Sequence, residues 1–527
     1  MEDPVNDTSQ ANYLLVFLAY YRMYGIYGLL AAAIAIYSVL IATYRLYFHP
    51  LARFPGPKLA AATGWYEFYY NVFRGGMYIY EIERMHRKYG PIVRINPYEI
   101  VVNDPSFYNT VYVTASTRRT DKWLDMEGRG MEGALITTQE HELHRRRRKS
   151  LEPFFSRLSI SRIEPLIIEE ARLLTDQLES LRKSCHVIRL DHVMSAFVGD
   201  VVIKLCSEKS PEMIRHPEFG KDWHNAFNVI ARHVHITVQF PQVVPIVRMI
   251  PTAIQKRLLP GAAAFETLHQ ARNRAINHIN DAKREMLSAE QVERNKNSSL
   301  FRRFLASQMP DSERKTERLA RQAMELFGAG SITLTGFFTV TLYYILSSRH
   351  IRYRISKELE STMVDYPSRL PSWQDLERLP YLNATVKEGL RLSYGTLHHL
   401  PRVSPDSALQ YKQWTIPPGT PVGMSTYSLH LDPSTYPDPR KFWPDRWLGD
   451  YNPDMNRNWV PFSRGSRNCL GMNLAYAEIY WALAVLFRPD APHLELFKTD
   501  ESDVLPVRDF LLPAPKLGSQ GLRVTVS

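Results

Sequence analysis

From Met23 to Tyr44 the chain (MYGIYGLLAAAIAIYSVLIATY) carries no charge. A helix of that length spans about 33 Å, enough for a hydrocarbon core of about 30 Å. The run is too long for the apolar part of a cleaved signal. It is apolar on every side, and Tyr24 and Tyr44 near its ends suit the two interfaces. The pattern predicts a transmembrane anchor over 23–44, with a buried core helix as the competing reading. Glu2, Asp3 and Asp7 precede it with Arg22 as the only basic side chain, and Arg45, Arg53 and Lys58 follow. The positive-inside rule then makes 1–22 lumenal and leaves the rest of the chain cytosolic. FPGPK at 54–58 closes a proline-rich hinge, 45–58, because proline and its predecessor cannot continue a helix.

Beyond the hinge no repeat and no long linker interrupts the pattern, so 59–527 reads as one domain, mainly α with small β-sheets. PIVRINPYEIVVND, 91–104, predicts two short strands around Asn96-Pro97. Ile163 to Leu181 carries apolar residues at helical spacing. Residues 289–316 are charged and polar and predict an exposed connection. A long helix without proline is predicted from Glu317 to Ser347. Its middle, FGAGSITLTG, is poor helix chemistry where burial should be greatest; small residues there let something large approach the backbone. Residues 432–461, rich in Pro, Trp and Asp, predict an irregular packed meander.

Composition narrows the function. With 45% hydrophobic and 23% charged residues the chain is globular. Three cysteines, Cys185, Cys206 and Cys469, are too few for a disulfide-stapled or zinc-ribbon fold. The net charge of +11 comes without a basic stripe interleaved with aromatics. It therefore points to a membrane surface or an acidic protein partner, not to nucleic acid.

The chemistry concentrates in Pro461-Phe462-Ser463-Arg464-Gly465-Ser466-Arg467-Asn468-Cys469-Leu470-Gly471, followed at once by the helical pattern MNLAYAEIYWALAVLF. A cysteine just before a helix start meets orphan N–H groups and the positive dipole end, which favour thiolate. Gly465 and Gly471 allow tight backbone and close approach of a flat ligand, and Arg467 offers a cation beside the sulfur. Cys185 and Cys206 read as small buried hydrophobes.

Phe-x-x-Gly-x-Arg-x-Cys-x-Gly, Phe462 to Gly471, resembles the haem loop of the haem-thiolate monooxygenases, the cytochrome P-450 family. Three further segments match in order. Glu388-Gly389-Leu390-Arg391 is similar to the family's helical Glu-x-x-Arg, and Arg446 in Phe442-Trp443-Pro444-Asp445-Arg446-Trp447 looks like the partner of a structural Glu–Arg–Arg cluster. Ala329-Gly330-Ser331-Ile332-Thr333-Leu334 resembles the Ala/Gly-Gly-x-Asp/Glu-Thr-Thr/Ser segment. Thr333 then fits the position whose hydroxyl serves proton delivery, while a threonine bonded back to its own helix is the plainer reading. The family's acid is replaced by Ile332 and its second hydroxyl by Leu334. For the haem propionates the resemblance implies His144, Arg148, Arg402 and Arg467.

The resemblance implies the cytochrome P-450 fold behind one transmembrane helix, and haem b with iron on the Cys469 thiolate. It also implies insertion of one oxygen atom from O2 into a hydrophobic small molecule, with Thr333 and Cys469 catalytic. The stretch after Cys469 is too short for a fused reductase, so a separate NADPH–cytochrome reductase is expected, with cytochrome b5 as a second candidate donor. The implied location is the endoplasmic reticulum membrane. Substrate contacts are expected from 110–135, Phe327 to Thr333, Tyr394 to Leu400 and Phe510 to Leu512. HRRRRKSLEPFFS and PFSRGSRNCLGMNLAYAE are most similar to the fungal secondary-metabolism branch near the trichodiene oxygenases, which implies a terpenoid or polyketide-derived substrate. Two alternatives stay open: a haem-thiolate isomerase or dehydratase that uses no NADPH, suggested by Ile332, and a non-catalytic membrane-tethered binding protein.

Overall fold

The computed structural model describes residues 25–123, 133–182, 186–251, 254–255, 261–286 and 299–527. Its first element is the apolar helix Gly25–Phe48, a candidate membrane span with none of its most apolar stretch buried against the protein. A core helix would be covered, so that competing reading falls. Cys185 and the segment 1–22 expected to be lumenal lie outside the described residues. The hinge is fastened at its far end: the Arg94 N–H donates to the Pro55 oxygen at 2.8 Å, and Phe54 stacks on Trp414. A Cβ on Gly56 would stand 2.4 Å from the Arg94 oxygen.

The body is helical around one large apolar core. Met472–Phe487 is apolar on all faces and almost wholly buried, as a central helix must be. Arg157–Leu181 packs along it, and the long helix Thr316–Ser347 packs on Leu190–Ser207. Thr333, Thr335 and Thr339 each donate a side-chain hydroxyl to the carbonyl four residues back, at 2.7–2.8 Å, which satisfies those hydroxyls inside the helix. The small residues of this helix admit neighbouring side chains. A Cβ on Gly328 would meet Phe227 at 3.0 Å and one on Gly330 would meet Val202 at 3.2 Å, whereas Gly336 faces open space.

A five-stranded sheet runs Ile92–Arg94, Ile100–Val102, Pro421–Gly423, Arg402–Val403, Asp121–Lys122. Its first pair is the hairpin expected around Asn96-Pro97. Three smaller sheets complete the strands among the described residues, one of them the hairpin Arg508–Phe510 with Leu512–Ala514. The expected exposed connection is partly wrong. Leu300–Leu305 is a short helix with Leu300, Phe301, Phe304 and Leu305 buried, because four large apolar side chains in six residues form a core-seeking face. The meander holds only two short helices, Pro444–Trp447 and Asp454–Asn458.

Candidate active site

Backbone chemistry shapes the cysteine loop. Ser463 and Gly465 have φ of 57° and 77°, and the Cys469 N–H closes onto the Phe462 oxygen at 2.9 Å. A Cβ on Gly465 would lie 2.4 Å from the Val113 oxygen and 2.7 Å from the Tyr112 carbonyl. The tight backbone expected at this glycine is therefore a close approach to the chain's own Tyr112–Val113 backbone. Gly471, just before the helix, is the contrasting case, with nothing within 4 Å of a Cβ. Phe462 braces the loop by packing its ring on Tyr476 at 5.3 Å.

The Cys469 side chain is exposed, yet burial pushes its thiol up while the Gly471 N–H and Arg148 pull it down. Both hold if the open space beside the sulfur lies inside the protein. The cation acting on the sulfur is Arg148 rather than the expected Arg467. Arg148 grips the preceding residue, donating to the Asn468 backbone oxygen and to its Oδ1, each at 2.7 Å. Arg467 donates instead to the carbonyls of Thr138 at 2.7 Å and Gln139 at 2.5 Å.

Around this space the charge is lopsided. Arg467 is pulled down to about 9 by burial and then by Arg402. Burial also lowers Arg402, whose Nη1 reaches only the carbonyls of Leu400 and Pro401. Lys122 is pushed down to about 7 by burial, Arg402 and Arg467. His144 is held neutral, at about 2, by burial and by the surrounding Arg467, Arg148, Arg402 and Lys122. Lys122 and Arg402 stand opposite each other on antiparallel strands, an arrangement that repels. Among the described residues none of Lys122, Arg402 and Arg467 forms an ion pair, and buried charge needs a partner. The donor set fits a ligand that brings two carboxylates beside a thiolate-bound metal, as haem does.

Behind the loop the Glu388 carboxylate is wholly buried and saturated. Arg391 donates to it from Nε at 2.9 Å and Nη2 at 2.8 Å, Arg446 from Nε at 3.0 Å, the Trp443 N–H at 2.9 Å and the Trp447 Nε1 at 2.9 Å. The remaining guanidinium donors hold meander carbonyls, among them Pro437 and Pro439, and the His430 carbonyl just before it. Such shared, bidentate bonding ties the Pro380–Ser393 helix to the meander. His430 extends the tie: its Nδ1 meets the Arg391 oxygen at 3.0 Å and its Nε2 accepts from the Val460 N–H at 2.9 Å.

Thr333 donates its hydroxyl proton to the Ala329 oxygen at 2.8 Å, the helix-bonded state of the plainer reading. Ile332 lines a cavity of about 140 Å³ with Phe227, Phe510 and Leu512. Tyr394 to Leu400 is less apolar in effect than expected. His398 and His399 are buried against Asp509 at 3.3 Å and Glu99 at 2.8 Å. Part of the expected 110–135 contact loop, 124–132, lies outside the described residues. Lys122, Asn468 and His430 escaped sequence reasoning, since nothing in their immediate neighbours marks them.

An exposed thiol just before a buried helix, near the unpaired Lys122, Arg402 and Arg467 and with a saturated Glu–Arg–Arg cluster behind its loop, suits a haem-thiolate enzyme. The family model for Cytochrome P450 matches residues 60–511, and the chain belongs to the cytochrome P450 family. It is 60% identical to the stellatic acid synthase of Emericella variicolor, over 100% of both chains. It is 56% identical to the cytochrome P450 monooxygenase vrcB of Aspergillus aculeatus, over 96% of this chain and 100% of that one. It is 46% identical to the fusicoccadiene C-8 hydroxylase of Phomopsis amygdali, over 92% and 93%. The protein is thus a fungal P450 monooxygenase of secondary metabolism, an oxidoreductase with haem iron on an axial cysteine, which uses O2 and a redox-partner reductase.

Proposed function

We propose that this monooxygenase is a single-pass enzyme of the endoplasmic reticulum membrane, with its body on the cytosolic side. In this reading it oxidises a terpenoid hydrocarbon drawn from the lipid. The observation that carries the chemistry is the exposed Cys469 side chain just before the helix Met472–Phe487, with the Gly471 N–H and Arg148 acting on its thiol. The substrate reading draws on the relatives' names, a hydroxylase of a diene and a synthase of an acid.

Haem bound there supplies the thiolate-ligated iron that activates O2 for insertion into a C–H or C=C bond. Cys469 would hold that iron, and Lys122, Arg402, Arg467 and neutral His144 would take up its carboxylates. Arg148 holds Asn468 and so sets where the sulfur stands. Thr333 holds a proton at Oγ1, which moves toward the chamber only when the bond to the Ala329 oxygen is released. With Ile332 in place of an acid, solvent water resupplies that proton. Phe227, Phe510 and Leu512 exclude bulk water from the substrate's flank. Electrons come from an NADPH–cytochrome reductase, with cytochrome b5 as a second donor, docking on the exposed Arg145, Arg146 and Lys149.

Microsomes holding the enzyme and a reductase, incubated with cyclic terpene hydrocarbons and NADPH, test this. The expected result is a product richer by one oxygen, or by successive oxidations a carboxylic acid. The CO-bound reduced Soret band should stand at the thiolate position and vanish in Cys469→Ser. A normal band with polyketide-derived substrates alone oxidised would overturn the terpenoid assignment.

A further inference from the structure

Away from the cysteine loop, folding brings Asp191, His192 and His224 together. Asp191 and His192 stand at the start of the helix Leu190–Ser207, and His224 at the start of Lys221–Gln239. Each offers one ligand atom, and these atoms lie within 4.8 Å of one another. The three are close without bonding. His224 Nε2 stops 3.7 Å from Asp191 Oδ2, beyond hydrogen-bond reach. The two imidazole rings are 4.8 Å apart and inclined at 47°. His192 Nε2 is buried and has no hydrogen-bond partner. Arg189 fixes the carboxylate from behind, donating to Asp191 Oδ1 from Nε at 2.8 Å and to Oδ2 from Nη2. Burial lowers His192 to about 4 against the pull of Asp191, and it lowers His224 as well. Both rings are therefore neutral and keep a lone pair. Burial raises Asp191, but Arg189 and the two histidines bring it below its ordinary value, so the carboxylate stays ionised.

We infer that Asp191, His192 and His224 form a zinc site that clips the starts of these two helices together. Two neutral imidazoles and a carboxylate suit a transition-metal dication, whereas calcium and magnesium take oxygen ligands. Two ligands each about 2.1 Å from a tetrahedral zinc stand about 3.4 Å apart. The gap between His224 and Asp191 is therefore nearly that of a shared ion, and rotation of the His192 side chain completes the set. Asp191 and His224 also line the cavity of about 140 Å³ beside Ile332, which gives the ion an entry path and a water for its fourth position. Arg189 is the outer partner that orients the carboxylate. Its charge and the positive ends of the two helices oppose a cation, which sets the affinity in the micromolar range. Phe227, one turn beyond His224, lines the same cavity, so the clip would hold that wall in place.

Untagged holoenzyme, treated with a chelator and then dialysed against micromolar zinc, tests this. The zinc-to-haem ratio reads occupancy, and X-ray absorption at the zinc edge reads the ligands without interference from the haem iron. The parent should bind one zinc per haem, with the scattering of two imidazoles. His192→Ala removes a ring whose Nε2 bonds to nothing, so it should fold with its Soret band intact. Its zinc affinity should fall by about tenfold or more, and its spectrum should show one imidazole fewer. His224→Ala should do the same. Zinc should slow amide exchange at the start of Lys221–Gln239 in the parent and in neither variant. A parent that takes up no zinc, or single variants that both bind it as the parent does, overturns the site. Zinc bound through both histidines with exchange unchanged overturns the clip.

Discussion

His430 has no room for a second proton. Its Nδ1–H faces the Arg391 oxygen, and its Nε2 is already used by the Val460 N–H. Burial, and then the Arg391 charge, lower it to about 3. Above the ordinary histidine value of about 6.5 both folded and unfolded chains are neutral here. As pH falls below it, the unfolded chain takes up a proton that the folded one refuses, so stability is lost with acid and rises with pH. The loss is about 1.4 kcal/mol at pH 5.5 and grows until pH approaches 3. His430→Asn should therefore flatten the pH dependence of thermal haem loss by roughly one proton between pH 6.5 and 5. Parallel slopes for parent and variant would show that His430 titrates in both states.

Among the elements, the meander depends most on a single side chain. Glu388→Ala strands two buried guanidinium groups, which costs about 3–5 kcal/mol. The Trp443 and Trp447 N–H groups lose their acceptor with it. The variant should accumulate as haem-poor, aggregating protein, and normal haem content on purification would refute the role. The helix His141–Leu151 makes a second case, because its basic run divides by face. Arg147 is buried against Glu313, and Arg148 reaches Asn468, whereas Arg145, Arg146 and Lys149 are exposed. Charge reversal of the exposed three should raise the KM for reductase severalfold, more so at low salt, with the Soret band intact. Reversal at Arg148 should lower haem content. The haem loop and the Glu-x-x-Arg pair were legible in the sequence because their chemistry sits at short fixed spacings. Lys122 opposite Arg402 and His430 on Val460 were not, since each acts through partners that only folding brings near. The tight backbone expected at Gly465 was legible, but its partners Tyr112 and Val113 were not, lying far away in sequence.

At the scale of the molecule, the proposed anchor is not the sole exposed apolar surface. Trp65, on the short helix Trp65–Phe68, is 60% exposed, and Phe73, at the end of the π turn that follows it, is 75% exposed. Phe240 packs on Trp65 and Phe68 at 5.8 and 5.3 Å. It leads into the helix Val243–Met249, where Ile246 and Met249 are 58% and 82% exposed. Tyr47 and Phe48, where the anchor leaves the body, are open too. A soluble protein rarely leaves such a patch uncovered, and inserting each large side chain into lipid gains roughly 1.5–3 kcal/mol. Four of them approach the binding of a lipid anchor. Deleting residues 1–44 should therefore leave much of the protein on phospholipid vesicles in a flotation assay. Adding Trp65→Ser, Phe73→Ser, Ile246→Ser and Met249→Ser should release it without loss of the Soret band. The released form should also need a higher total concentration of a membrane-dissolved hydrocarbon substrate for half-maximal turnover, because a body resting on lipid takes such a substrate from the bilayer and a freely dissolved one must wait for water to carry it. Complete release by the deletion alone would show that the patch does not meet the membrane.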